Sequence, residues 1–414
     1  MTARPPSIAL VSTIFGLTYL ALAFGKVPGL RTDRAGIALA GAAAMLACGA
    51  LSMREAARAV DHETIVLLFG MMIVVAHLRL AGFFGLATDR AASRFSGPRT
   101  LLAVTIALAG TLSAFLVNDV VCVALTPLVV DLCRRLERPA VPYLIGLAAA
   151  SNVGSVATIT GNPQNMIIGS LSGIPYLRFT ARLAPVALIG LTLTYLVVAA
   201  VYREALGESP RAPRAVEPGT SPRVDRRLLI KSGTVVLATV ALFFAGAPVP
   251  LAALGSAAVL MLGRVHPEQV YRSVDWPLLV MFAGLFVVVH AFEAHVVHTW
   301  GVERWRPLIE SPVVLTSGLS VLLSNLVSNV PAVLLFKPLM DVTPYKEPAW
   351  LALAMSSTLA GNLTVLGSVA NLIVVENARR AGTEIGFFEF LKVGVPLTIA
   401  TTLVGVAWLS LVLY

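Results

Sequence analysis

Charged residues are scarce in this chain. Only 13% of its 414 residues are Asp, Glu, Lys or Arg, whereas 57% are hydrophobic and the mean hydropathy is +0.83. This composition excludes a soluble protein with a large core and leaves no stretch for a separate soluble catalytic domain. It predicts an integral membrane protein, in which segments of ~20 apolar residues cross the bilayer.

Several chemical signatures are also missing. The sequence has no Walker A motif, no Gly-x-Ser-x-Gly elbow, no His-Glu-x-x-His motif and no close pair of intramembrane aspartates. Its three cysteines, Cys48, Cys122 and Cys133, show no Cys-x-x-Cys spacing, so they indicate neither a disulfide framework nor a metal site. These absences argue against an enzyme and predict no cofactor and no resident metal. Without a Walker A motif the chain itself hydrolyses no ATP, so any work that it performs would draw on an ion gradient or on a separate ATPase subunit.

A polar segment interrupts the hydrophobic sequence at Ser151–Asn165, and a second copy follows at Ser357–Asn371. Both copies share the spacing Ser-x6-Thr-x2-Gly-x3-Asn. The paired positions are Ser151 and Ser357, Thr158 and Thr364, Gly161 and Gly367, and Asn165 and Asn371. Lipid satisfies no backbone or amide group, so such residues must face protein or a water-filled cavity. One interruption in each half of the chain is typical of a transporter binding site.

A second repeated spacing predicts a hairpin in each half. The apolar stretch Leu101–Leu132 is interrupted by Asn118 and Asp119, and its length allows either one long helix or a re-entrant hairpin. The spacing Ser-x4-Asn-x8-Pro occurs in this stretch at Ser113, Asn118 and Pro127. It occurs again in the second half at Ser324, Asn329 and Pro338. Because Pro331 follows the second Asn closely, a chain reversal is favoured over a continuous helix.

These repeats predict an all-α integral membrane protein with two inverted repeats of five transmembrane helices, each with a re-entrant hairpin and an interrupted helix. Repeat 1 spans residues 1–205, a polar linker spans 206–228, and repeat 2 spans 229–414. Helices are predicted at about Ser7–Gly25, Ala35–Met53, Thr64–Phe84, Ala184–Tyr202, Leu229–Gly246 and Val393–Leu413. A cleaved signal peptide at Ser7–Gly25 is disfavoured because Leu229–Gly246 would then have no counterpart.

The basic residues predict the orientation. The net charge of +9 and the pI of about 9.8 do not indicate nucleic acid, because the basic residues lie in short loops beside apolar segments. The predicted topology puts most of them on one side, including the linker, Lys26, Arg31, Arg34, Arg79, Arg90, Arg94, Arg99, Arg134, Arg135, Arg138, Lys231, Arg264, Arg272, Arg379, Arg380 and Lys392. That side is therefore cytoplasmic, with both termini outside.

Four motifs carry a family resemblance. They are Thr160–Asn165, Asn118–Thr126, Leu323–Pro331 and Ala360–Arg380. Together they resemble the ion transporter superfamily, in its arsenite-pump and sodium/proton-antiporter branch, and most of all the plant silicic acid efflux transporters and their bacterial relatives. The resemblance implies a secondary transporter whose substrate is arsenite, silicic acid, sodium, chloride or a carboxylate. Dicarboxylate members carry Ser-Asn-Thr at both hairpin tips, whereas here the tips read Val117-Asn118-Asp119 and Ser328-Asn329-Val330.

The candidate substrate and ion site consists of the two hairpin tips and the two helix breaks. Its predicted residues are Asn118, Asp119, Thr158, Gly161, Asn162, Asn165, Ser328, Asn329, Thr364, Gly367 and Asn371. No Arg or Lys lies within these motifs, which favours a neutral or weakly acidic substrate held by amide and hydroxyl groups. Asp119 is the predicted proton carrier, with a helix N-cap as the alternative reading. Lys337 is expected to snorkel toward the membrane interface.

The predicted function is proton-coupled efflux of a small oxyacid or metalloid hydroxide, silicic acid or arsenite, across the inner (plasma) membrane. A sodium/proton antiporter and an anion or carboxylate permease are alternatives within the superfamily, and a gated ion channel is an alternative of another class. The expected partners are the substrate, a coupling proton or sodium ion, and the lipid bilayer, without nucleic acid. Homodimer formation is left open.

Overall fold

The computed structural model describes residues 7–24, 32–95, 97–207, 224–296 and 312–413. Within these ranges the chain is helical and contains no strand, so the predicted all-α fold is confirmed. Most of the predicted linker, at 208–223, lies outside the described residues, as do Lys26, Arg31 and the C-terminal Tyr414.

The helices of the two halves follow a similar order. The first half contains α1 (Ile8–Phe24), α2 (Arg34–Ala47), α3 (Met53–Ala59), α4 (His62–Leu80), α5 (Phe83–Arg94), α6 (Pro98–Phe115), α7 (Asn118–Arg135), α8 (Val141–Ser155), α9 (Pro163–Ser172) and α10 (Tyr176–Val201). The second half contains α11 (Arg226–Phe244), α12 (Val249–Met261), α13 (Pro267–Tyr271), α14 (Trp276–His295), α15 (Pro312–Val327), α16 (Asn329–Val342), α17 (Lys346–Ala360), α18 (Val369–Arg380) and α19 (Phe387–Leu413).

Six of the described helices are long and apolar enough to cross a membrane. They are α4, α6, α10, α11, α14 and α19. Shorter apolar helices include α1, α2, α12, α15 and most of α16. The second predicted span was too long, because α2 ends at Ala47 and the chain turns at Gly49, where φ is +75°. A new short helix, α3, then begins after a capping box formed by Ser52 and Glu55.

Both predicted reversals are present as tight turns between packed helices. The chain passes from α6 to α7 through Val117, whose φ is +61°, and from α15 to α16 through Ser328, whose φ is +78°. A non-glycine residue rarely adopts positive φ, so each tip is a strained turn held by its surroundings. Leu101–Leu132 therefore forms two helices that pack against each other rather than one long helix.

Both predicted interruptions are also present. Helix α8 ends at Ser155, a single 3-10 turn covers Ile159–Gly161, and α9 begins at Pro163. Helix α17 ends at Ala360, a 3-10 turn covers Val365–Gly367, and α18 begins at Val369. Thr158 and Thr364 are extended at the start of these turns, with φ of −138° and −136°. In each break a new helix begins only after the 3-10 turn, with Asn162 and Ser368 as the N-cap residues.

The two halves interlock through glycines at helix crossings. A Cβ at Gly70 of α4 would lie 2.8 Å from the backbone carbon of Ala253 in α12, and a Cβ at Gly284 of α14 would lie 2.8 Å from that of Ala38 in α2. Small residues permit such close backbone approach between membrane helices. Helix α12 of the second half thus packs against α4 of the first half, and α2 of the first half packs against α14 of the second.

Candidate functional site

A central cavity of about 600 Å³ lies where hairpin tips and helix breaks meet. Its polar lining consists of Asp33, Arg34, Asn118, Asp119, Gln164, Asp275, Ser328, Asn329 and Ser368. Six of the described helices begin at its wall, namely α2, α7, α9, α14, α16 and α18. Helix N-termini carry partial positive charge and point backbone N–H groups outward, so their convergence suits an anion or an oxygen-rich molecule.

Asn152 lies at the centre of the buried polar network behind the cavity. Its side-chain nitrogen donates to the Oδ1 atoms of Asn362 and Asn371, at 2.9 and 3.0 Å. Its Oδ1 accepts from Asn118 Nδ2 at 3.1 Å and from Ser368 Oγ at 3.0 Å. All four hydrogen-bonding positions of this amide are occupied, and the residue is only 1% exposed. Asn152 therefore joins the first hairpin tip to the second helix break.

Thr358 makes the reciprocal connection. Its hydroxyl accepts from Asn162 Nδ2 and Gln164 Nε2, both at 3.2 Å. Thr358 follows Ser357 as Asn152 follows Ser151, so the two residues occupy matched places in the repeated segments. Each one bonds to the break of the opposite half. Neither Asn152 nor Thr358 was among the predicted site residues. Both directly follow the paired serines of the repeated segments, but one is an asparagine and the other a threonine, so the spacing pattern did not include them.

Asn165 and Asn371 hold the breaks in shape rather than line the cavity. Asn165 Nδ2 donates to the carbonyls of Ser155 and Thr158 at 3.1 and 2.9 Å. Asn371 Nδ2 donates to the carbonyls of Gly361 and Thr364 at 2.7 and 3.1 Å. These carbonyl groups lie where the helices end and therefore have no partner within a helix. Burying them without a hydrogen bond would cost free energy, and the two asparagine amides supply that bond.

The other predicted break residues are structural in the same sense. Asn162 caps α9 by accepting from the backbone N–H of Asn165 at 2.8 Å, and the Thr158 hydroxyl donates to the Ala114 carbonyl of the first hairpin. At Gly161 a Cβ would lie 2.2 Å from the Ser155 carbonyl oxygen, so only glycine fits there. At Gly367 the closest atom to such a Cβ would be Asn325 Oδ1, at 2.9 Å.

The two hairpin tips do reach the cavity. Asn118 is 3% exposed; its carbonyl accepts from Ser151 Oγ at 3.1 Å, while its Oδ1 has no hydrogen-bond partner in the described part of the chain. The side-chain amide of Asn329 is surrounded by carbonyl groups, so its nitrogen faces them. It donates to the carbonyls of Ser357 and Gly367, at 3.1 and 3.2 Å. Each tip is thus tied to the break beside it.

Asp119 lines the cavity from the first turn of α7 and is half-buried. Val117 occupies the N-cap position of that helix, so Asp119 is not the N-cap that the alternative reading required. To the residues that the structure describes, its carboxylate makes neither a hydrogen bond nor an ion pair. Asp33 and Asp275, by contrast, cap α2 and α14 by accepting from Gly36 N at 2.8 Å and Leu278 N at 3.0 Å.

Two basic residues have partners that the sequence did not indicate. Arg34, counted among the basic residues of the cytoplasmic side, is the first residue of α2; it lines the cavity and donates from Nη1 to Ser328 Oγ at 3.4 Å. Lys337 was expected to snorkel, yet its Nζ lies 3.0 Å from Glu293 Oε2, with both side chains largely buried. In both cases the partner is far away in the chain, so local sequence could not reveal it. The one signal available for Arg34 was its position at the start of an apolar helix.

A second cavity of about 580 Å³ lies at the starts of α4 and α12. Tyr176 lines it, packs between Phe243 and Phe244, and shares a hydrogen bond of 2.8 Å with the hydroxyl of Thr160. Thr160 is fully buried, whereas Leu366, its counterpart in the second break, is 62% exposed and lines the central cavity. In the first break Thr160 is therefore covered by Tyr176, whereas Leu366 of the second break is open to the central cavity.

Comparison with known proteins gives a consistent result. The family described as CitMHS, citrate transporter, matches residues 19–356. The chain is 30% identical to the silicon efflux transporter LSI3 of Oryza sativa subsp. japonica, over 97% of each chain. The YdaH transporter of Alcanivorax borkumensis has the same fold with a TM-score of 0.59 at 16% identity, covering 98% of this chain and 96% of that one. For MtrF of Neisseria gonorrhoeae the TM-score is 0.63 at 13% identity, with coverages of 99% and 96%.

The broken helices, the paired hairpins and the polar cavity are features of transporters, and the sequence and fold comparisons agree with that reading. The chain is a membrane transporter that belongs to the citrate transporter (CitMHS) family.

Proposed function

We propose that this transporter couples the efflux of a small oxyacid or metalloid hydroxide, such as silicic acid or arsenite, to proton movement. The observation that carries the proposal is Asp119, a half-buried carboxylate at the wall of the central cavity. An ionisable group at membrane depth is costly and is typically functional. Because no described side chain neutralises it, this carboxylate is free to take up and release a proton during transport.

The cavity chemistry supports a hydroxylated substrate. Asn118, Gln164, Asn329 and Ser328 line it and offer both donors and acceptors. The 30% identity to a protein named as a silicon efflux transporter points the same way. Under this proposal the hairpin tips and the cavity faces of the breaks contact substrate, while Thr158, Gly161, Asn162, Asn165, Thr364, Gly367 and Asn371 keep the breaks in position.

Alternating access would follow from two inverted repeats, 1–205 and 229–414, joined by the linker 206–228. The reciprocal bonds of Asn152 and Thr358, together with the matched glycine crossings, support this arrangement. The distribution of basic residues supports a cytoplasmic position for the central cavity, in an inner (plasma) membrane with both termini outside. In this conformation the central cavity would be open to the cytoplasm, and Tyr176 would cover the first break at Thr160.

A carboxylate or anion permease is the second candidate, and one observation favours it. Arg34 brings a guanidinium group to the second hairpin tip, where no basic residue was expected. Arginine is well suited to bind carboxylates and other oxyanions. The name of the matching family also refers to citrate, although net negative charge from Asp33, Asp119 and Asp275 in the cavity disfavours a multiply charged anion.

Purified protein in proteoliposomes with an imposed pH gradient would test the proposal. We expect saturable, gradient-driven movement of germanic acid, which mimics silicic acid, or of arsenite. Movement of sodium alone would indicate the antiporter, and movement of citrate alone would indicate the permease. Unitary currents in planar bilayers would indicate a channel and would contradict the proposal. Light scattering of the same sample would show whether the transporter is a homodimer.

A further inference from the structure

We infer that the substrate binds as a singly charged anion that still carries a hydroxyl proton, with its charge on Arg34 and its hydroxyl on Asn118. This inference rests on the central cavity being the transport site of the proposed function, and it defines the charge state of the species bound there.

Arg34 has unused binding capacity. Its described hydrogen bond to Ser328 Oγ is 3.4 Å long, beyond the usual range of 2.7–3.2 Å for such bonds. It forms no ion pair with any carboxylate in the described ranges of the chain, although it lines the same cavity as three of them. A guanidinium group carries five N–H donors. Most of these donors are therefore available to an oxyanion in the cavity.

The surroundings of Arg34 add further donors. Ser328 is the N-cap residue of α16, but in the described structure its side chain makes no capping bond to that helix and instead accepts from Arg34. The first N–H groups of α16 therefore remain free beside the guanidinium group. A helix N-terminus and an arginine at one point together favour a negative charge.

The first hairpin tip presents an acceptor to the same cavity. Asn118 is almost fully buried at the cavity wall, and its Oδ1 is unpaired among the described residues, because its amide nitrogen is the atom bonded to Asn152. A buried acceptor without a donor costs free energy. This oxygen is covered in the described structure, so a hydroxyl group of the substrate becomes its partner when the hairpin tip shifts enough to uncover it. A fully deprotonated oxyanion has no such donor.

The charge balance limits the substrate to one negative charge. Asp33 and Asp275 are already engaged as caps and offset the dipoles of α2 and α14. This leaves one fixed positive charge, Arg34, and one carboxylate that can change its charge, Asp119. A dianion would lack a second cation, whereas a neutral molecule would leave the Arg34 charge without a counter-charge whenever Asp119 is protonated.

Binding measurements on purified protein in nanodiscs can test the inference, with germanic acid, arsenous acid and glycolate as probes. The first two are neutral at neutral pH and become monoanions as the pH rises, whereas glycolate is a monoanion throughout. The affinity for the two oxyacids should rise with pH. Because deprotonation of Asp119 would oppose this rise, the titration is repeated with Asp119→Asn, in which the probe is the main titrating species.

Arg34→Gln should reduce monoanion affinity by ~10- to 100-fold, the range for loss of a charge-assisted hydrogen bond, and should remove the rise with pH. Arg34→Lys should restore part of both. Arg182→Gln is the matched control, because Arg182 donates to the Val412 carbonyl away from the cavity; its affinities should equal those of the unsubstituted protein.

The outcomes separate the two proposals. Oxyacid binding that is independent of pH and unchanged in Arg34→Gln would overturn the monoanion inference and leave the proposed function standing. Arg34-dependent binding of glycolate without binding of either oxyacid would support the inference and replace the oxyacid function with a carboxylate one. Binding of none of the three probes by the unsubstituted protein would overturn both.

Discussion

Asn152 and Thr358 occupy equivalent places in the two repeated segments, and each forms hydrogen bonds with the helix break of the opposite half. The two breaks are therefore not independent loops. They form one buried unit, and a movement of either break must carry its partner or rupture these bonds. This coupling is the structural basis on which the two halves would alternate together.

Replacing Asn152 with Leu should strongly destabilise the protein. The substitution leaves polar groups of Asn118, Asn362, Asn371 and Ser368 without their shared partner, and we expect a loss of roughly 3 kcal/mol or more in unfolding free energy. Thermal unfolding in detergent measures the effect. Asn377→Leu on α18 is the control, because the Asn377 side chain is half-buried and makes no hydrogen bond to the described residues. Equal stability of both variants would contradict the role given to Asn152.

The two break glycines should differ in their tolerance of alanine. At Gly161 the new Cβ would lie 2.2 Å from the Ser155 carbonyl oxygen, whereas at Gly367 the two nearest atoms, Asn325 Oδ1 and the Gly361 carbonyl oxygen, are 2.9 and 3.0 Å away. The steric overlap is much smaller at Gly367, so Gly161→Ala should cost about 2–3 kcal/mol and Gly367→Ala about 1 kcal/mol. The yield of monodisperse protein and its melting temperature report the order. The reverse order would show that the first break is the more adaptable one.

The ion pair between Lys337 and Glu293 fastens the second hairpin to α14. Their side chains are 30% and 18% exposed, so Lys337→Met leaves a poorly solvated carboxylate and should cost about 1–3 kcal/mol. Adding Glu293→Gln should recover part of that loss. Arg272→Met, which breaks an ion pair with both side chains more than 70% exposed, should cost less than about 0.5 kcal/mol. Additive losses in the double variant would show that the two groups do not interact.

Thiol labelling distinguishes the exposed residue of the second break from the covered residue of the first. In a background without the three native cysteines, Leu366→Cys should react with a membrane-impermeant reagent added from the cytoplasmic side, because residue 366 lines the central cavity. Thr160→Cys should be protected behind Tyr176. Labelling of Leu366→Cys only from the outside would reverse the predicted orientation while leaving the fold intact.

The helix breaks and the chain reversals could be predicted from the sequence, because each depends on residues that are close together in the chain. Pro163 cannot continue a helix, and Gly161 tolerates a contact that excludes any side chain, so the break was predictable from the residues that form it. The same holds for the reversal before Asn329, although the strain at Ser328 was not foreseen.

The composition of the cavity could not be read in this way. The bond between Arg34 and Ser328, and the ion pair between Lys337 and Glu293, join helices that are distant in the chain. Charge alone placed Arg34 among the basic residues of the cytoplasmic side, because a basic residue before an apolar segment usually orients the protein. Likewise, Asn165 and Asn371 looked like ligands by residue type, and only the helix ends show that their amides are used by orphaned carbonyls.

The most direct measurement is proton movement driven by substrate in proteoliposomes that contain Asp119→Asn. Asparagine keeps the size and hydrogen bonding of the side chain but cannot release a proton. The variant should show no substrate-driven change in internal pH, while it still exchanges labelled substrate at equal concentrations on both sides. If Asp119→Asn concentrates substrate at the expense of a pH gradient as the unsubstituted protein does, the proton is carried elsewhere and the proposed coupling is wrong.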